Sequence, residues 1–131
     1  MKWKLNETLS VFRYENKYII DKVTSNLIRK KLSKIIKEDN HSCINGYMVR
    51  SLYFDSLNNI DFLTKLAGTE VRKKIRIRVY DAKDMKCKLE MKEKIGDSQH
   101  KISISITKED AMKLTKGDFS VLTKYFEKND L

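Results

Sequence analysis

Apolar and polar residues alternate along much of this chain, most clearly in Glu70–Lys94, EVRKKIRIRVYDAKDMKCKLEMKEK. Two stretches there repeat with period two, as strands with one buried face do. In the first, Arg72, Lys74, Arg76, Arg78 and Tyr80 share one side, and Val71, Ile75, Ile77 and Val79 share the other. Lys73 falls among the apolar residues, where a lysine stem can snorkel between covering helices. In the second, Lys88, Glu90, Lys92 and Lys94 oppose Leu89, Met91 and Ile95. The polar stretch Asp81-Ala82-Lys83-Asp84 between them is a turn, so the pair predicts a long antiparallel hairpin.

The same period recurs elsewhere. Val11–Ile20 puts Arg13, Glu15 and Lys17 on one side and Phe12, Tyr14, Tyr18 and Ile20 on the other, with Asn16 out of pattern. YMVRSLYFD places Ser51, Tyr53 and Asp55 together, and KISISI sets Lys101, Ser103 and Ser105 against Ile102, Ile104 and Ile106. Strands are therefore expected over about 11–20, 47–55, 71–80, 87–95 and 100–106. Before the first of these, Met1–Ser10 reads as a polar lead, in part helical. Apolar spacing at helical period predicts helices over about 23–37, 58–67, 108–115 and 118–128. Asp21 or Thr24 can cap the first helix, Gly68 suits the end of the second, and Thr107-x-x-Asp110 opens the third. No repeat, low-complexity tract or linker interrupts residues 1–131, which read as a single α+β domain.

Composition changes the picture at one point. Twenty-eight Lys and Arg against 18 Asp and Glu give a net charge of +10. The excess is not a tail; it is interleaved with Ile, Val and Leu at strand spacing. Such a balance favours anionic partners: nucleic acid, an acidic membrane surface or phosphates. Closely spaced cations on a strand face repel, and a site for a polyanion explains them better than solvation alone. A half-exposed sheet with its charges in water remains the bland alternative. A sheet with helices outside and cations inside would make a cup or tunnel for a linear phosphate chain, with Arg gripping bidentately and Lys as a point charge. Cys43 and Cys87 have no CxxC partner and read as reduced thiols. There is no membrane-spanning run, no Gly-rich phosphate loop, no zinc spacing and no Ser-His-Asp or Cys-His set. His41 and His100 lie near turns and suggest no chemistry.

FRYENKYII, SLYFD, RKKIRIRVYD, KLEMKEK and a lysine opening the next strand, in that order, resemble the VTC (vacuolar transporter chaperone) domain of the triphosphate tunnel, or CYTH-like, superfamily. The resemblance runs from about Phe12 to about Lys128. It implies half of an antiparallel triphosphate-tunnel barrel, with its basic concave face inside and helices outside. The chain would be the N-terminal half of the domain, closed by self-association or by a missing C-terminal half. It implies an enzyme, an ATP-dependent polyphosphate polymerase that needs a divalent metal, Mn or Mg, with ATP and inorganic polyphosphate as partners. It also implies a cytoplasmic place, at the inner face of a membrane through partners. Carried over, Arg76, Arg78 and Lys92 would be catalytic, and with Lys17 and Lys101 they would bind phosphate. Lys74 and Lys94 extend the same faces by periodicity. Glu15 and Glu90 would hold a metal or pair with neighbouring cations. Arg13, Tyr53 and Asp55 complete the set, Asp55 as a motif residue or simply a cap. Arg13-x-Glu15-x-Lys17 replaces the leading glutamate of the E-x-E-x-K motif found in triphosphate hydrolases and cyclases, which favours the VTC branch. Two rivals stand beside this reading. One is a non-catalytic module for polyphosphate or inositol polyphosphates. The other is a nucleic-acid-binding domain, disfavoured because aromatic residues on the basic faces are few.

Overall fold

A computed structural model describes residues 8–37, 39 and 46–125. The chain falls into two compact units, residues 16–48 and the remainder. The larger one is built on a five-stranded antiparallel sheet of order β1-β5-β4-β3-β2. Its strands are β1 (Thr8–Tyr14), β2 (Arg50–Phe54), β3 (Val71–Val79), β4 (Lys86–Ile95) and β5 (Ser98–Thr107). Its helices are α2 (Ile60–Leu66), α3 (Lys108–Thr115) and a terminal 3-10 turn (Phe119–Lys124). The unit is α+β, as the alternation predicts. Its sheet does not close among the described residues, with β1 and β2 at the two edges.

The hairpin β3–β4 forms where the sequence places it. Asp81 Oδ1 accepts the Lys83 amide at 2.9 Å and Asp84 Oδ2 the Asp81 amide at 3.1 Å, which tightens the turn. β4 and β5 are joined by Gly96-Asp97 alone, between the paired residues Ile95 and Ser98. Gly96 has φ 56°, and a two-residue hairpin needs that hand at its first central position.

Two strands have other limits than their own alternation suggests. β1 runs from Thr8 to Tyr14 rather than from 11 to 20. Its last residue, Tyr14, faces Ser98, the first residue of β5. Beyond that point β5 offers no backbone to pair with, so residues 15–20 leave the sheet. Toward its start, β5 continues to Ile104 opposite Thr8, which draws the end of the expected polar lead into the strand. β2 begins at Arg50, opposite Val79 at the end of β3, so residues 47–49 likewise fall outside the sheet ladder. In both cases the partner strand's length sets the limit.

The apolar face of the sheet carries the core. Ile77, Cys87, Leu89, Ile104 and Ile106 are buried against Ala111 and Leu114 of α3 and Val121 of the 3-10 turn. Thr107 Oγ1 accepts the Asp110 amide at 3.1 Å and caps α3 as predicted. Asp110 then fastens the terminal turn, taking 2.9 Å and 2.7 Å contacts from Lys124 Nζ and Tyr125 Oη. The expected helix over 118–128 is a 3-10 segment, and residues 126–128 lie outside the described residues. Cys87 is a buried free thiol; Cys43 and His41 lie outside the described residues.

The smaller unit holds α1 (Lys22–Leu32), shorter than the expected 23–37. Asp21 is its cap, accepting the Thr24 amide at 2.8 Å.

Candidate anion-binding face

Directly opposed residues on neighbouring strands point to the same side of a sheet. The register therefore sorts the polar face into rows. Lys74, Lys92 and Lys101 form one row across β3, β4 and β5. The next holds Tyr53, Arg76, Glu90 and Ser103, and the one beyond it Ser51, Arg78, Lys88 and Ser105. On the other flank lie Arg72, Lys94, Gln99 and Arg13. These four rows contain one carboxylate, Glu90. Like charges directly opposite each other destabilise a sheet. Two held about 5 Å apart repel by about 3 kcal/mol at an effective dielectric near 20, an upper bound because lysine tips splay.

Glu90 is the hub. Only 1% of it is exposed. Its Oε2 accepts from Arg76 Nε at 2.7 Å and meets Arg76 Nη2 at 2.6 Å, while Oε1 meets Lys101 Nζ at 2.8 Å. Burial pushes its carboxyl upward, but the hydrogen bonds from Lys101 and Arg76 outweigh burial and hold it below the usual carboxylate range. Arg76 also donates from Nη1 to Tyr53 Oη at 2.9 Å. Burial works against its charge, yet the Tyr53 and Glu90 contacts win and raise its pKa. The Tyr53 phenol moves the other way: the Arg76 hydrogen bond lowers it.

Arg78 is held differently. Its Nε is 4.0 Å from Glu90 Oε2, and that buried nitrogen has no hydrogen-bond partner. An unsatisfied buried donor costs about 1–3 kcal/mol and points to an acceptor that arrives from outside. In the lysine row, the Lys92 pKa is lowered first by burial, with the Arg13 and Arg76 charges adding to that effect and Glu15 and Glu90 opposing it. A cation so placed gains from an incoming anion.

The other expected site residues separate into groups. Arg13, Lys74, Lys94 and Tyr53 lie on this face. Glu15 follows β1, pairs with Arg13 at 2.5 Å and reaches Lys92 electrostatically. Lys17, expected on the first strand with Arg13 and Glu15, lies beyond the end of β1 and within the smaller unit. Asp55 caps α2, accepting the amides of Ser56, Asp61 and Phe62 at 2.7–2.9 Å. Ser103, buried opposite Glu90, was not singled out by the sequence; its small size beside the hub is its only signal.

A divalent metal fits these residues poorly. Both oxygens of Glu90 are taken by cations, and no group of three His, Cys, Asp or Glu able to hold a metal occurs among the described residues.

An open antiparallel sheet with a cationic face threaded by one buried carboxylate makes this an α+β protein with a candidate anion-binding face. A family model, the VTC domain, matches residues 12–130, and the chain belongs to that family. No curated protein and no solved structure matches it. Among the described residues no helix is long and apolar enough to cross a membrane.

Proposed function

We propose that the cationic face binds the phosphates of ATP and inorganic polyphosphate, and that the domain serves phosphoryl transfer of the polyphosphate polymerase type. In that reaction the bond from the γ-phosphorus to the β-phosphate oxygen of ATP breaks. A bond from that phosphorus to a terminal oxygen of the polyphosphate chain forms, and ADP leaves. The protein's part is positioning and charge neutralisation. Arg78 and Lys92 would contact phosphate. Arg76 and Lys101, tied to Glu90, would hold the face in shape and present their remaining donors. A Mn or Mg ion would come on the ATP phosphates rather than in a protein cage.

The observation that carries this reading is the row Lys74, Lys92, Lys101 on the same face as Arg78, which lies two rows away across Glu90 and whose buried nitrogen is unsatisfied. Calorimetric titration with tripolyphosphate tests it. The wild-type chain should bind, and an Arg78→Ala/Lys92→Ala variant should lose at least about 2 kcal/mol, the contribution of two charge-assisted contacts. No binding by the folded wild type would overturn it.

The occupied oxygens of Glu90 favour a second reading, a polyphosphate-binding module without catalysis. ADP release from ATP in the presence of polyphosphate and Mn or Mg separates the two. Binding without turnover supports the module.

A further inference from the structure

Tyr53 stands at a border. Its hydroxyl meets Arg76 on the cationic face, and the residue also lines a cleft of about 430 Å³ between β2 and α2. Lys74, from the lysine row, lines the same cleft. The rest of the lining is mixed in kind: Phe62, Asn59 and Asp61 share it with Lys65. Asp55 binds the backbone amides of Asp61 and Phe62, so the start of α2 is fastened to the end of β2.

The two kinds of lining residue select different chemistry. A phosphate chain gains nothing from aromatic rings and is repelled by Asp61. A planar base has a face to lay on Phe62 or Tyr53, and ribose hydroxyls are donors that a carboxylate accepts. The volume lies in the range of small-ligand pockets. We propose that this cleft seats the purine nucleoside of ATP, with the triphosphate running past Lys74 onto the Arg76 and Arg78 rows. The inference rests on the phosphate-binding reading and adds to it: the cleft distinguishes the nucleotide donor from the bare polymer.

The test compares ATP with tripolyphosphate on the full chain by calorimetry, for wild type, Phe62→Ala and Asp61→Asn. Circular dichroism and thermal unfolding verify that each variant is folded. Asp61→Asn keeps the side-chain volume, so it serves if Phe62→Ala does not fold. Phe62→Ala is expected to weaken ATP at least about fivefold while leaving tripolyphosphate within about twofold, and Asp61→Asn to weaken ATP selectively as well. Tripolyphosphate binding with ATP affinity unmoved by either variant, or both ligands weakened equally, overturns the cleft assignment and leaves the phosphate reading intact. If the wild type binds neither ligand, both readings fall.

Discussion

Glu90 shows how much one side chain can organise. It is a single carboxylate set among cations two residues away on its own strand and directly across on the next. Buried ion pairs are weak evidence for net stability, but removing one partner leaves unpaired buried charge. Glu90→Gln should therefore lower unfolding free energy by about 3 kcal/mol in denaturant titration, although it changes few atoms. A loss under about 0.5 kcal/mol would mean that Arg76 and Lys101 find other partners. The periodicity alone places Glu90 on the cationic face. What it cannot say is that Arg76 reaches Glu90 from the next strand while Arg78, two residues further on, is left with an unsatisfied nitrogen. That difference arises from register across strands, which local alternation does not encode. Tyr53 illustrates the same gap: its side is legible from its strand, and its hydrogen bond to Arg76 is not.

Among the elements, the hairpin and α3 were the most legible, because each carries its own signal: alternation with a polar turn for one, a capping threonine for the other. The ends of β1 and β2 were less so, since a strand stops where its neighbour stops. The junction of α3 with the terminal 3-10 turn depends on Asp110. Hydrogen bonds from Lys124 first and then Tyr125 hold its carboxyl down to about 2, from an ordinary 3.8. A carboxyl whose folded pKa lies below its unfolded value adds stability that is complete above the unfolded value and disappears as pH falls through the folded one. Acid should thus loosen this junction between about pH 4 and about pH 2. Asp110→Asn should flatten that part of the curve of melting temperature against pH, and an unchanged acid limb would show that the junction does not depend on this charge. Glu90, also held low, adds to the same acid sensitivity with the same sign.

Across the whole molecule the net charge of +10, together with the cations gathered on one sheet face, leads to one further expectation. Affinity for polyphosphate should fall steeply with salt, roughly tenfold or more between 50 and 200 mM for a ligand touching several cations. Short polyphosphate should also displace a single-stranded oligonucleotide, because the face offers few rings on which bases could stack. Displacement in the opposite sense would favour a nucleic-acid partner. The family match over residues 12–130 agrees with motifs that are each weak and become specific only in order.

By itself the sequence determined the class of fold, the identity of the cationic face, most of the elements and the family. All of these follow from local period, turn chemistry and motif order, which a chain carries without reference to distant partners. The tertiary structure alone decided which cations line up in a row, that Glu90 ties Arg76 and Lys101 together, and that Arg78 keeps an open donor. It also decided that Lys17 leaves the first strand and that Tyr53 connects the face to a cleft. Those outcomes depend on strand pairing and on the fold-back of α2. They join residues far apart in sequence through geometry that no local pattern specifies.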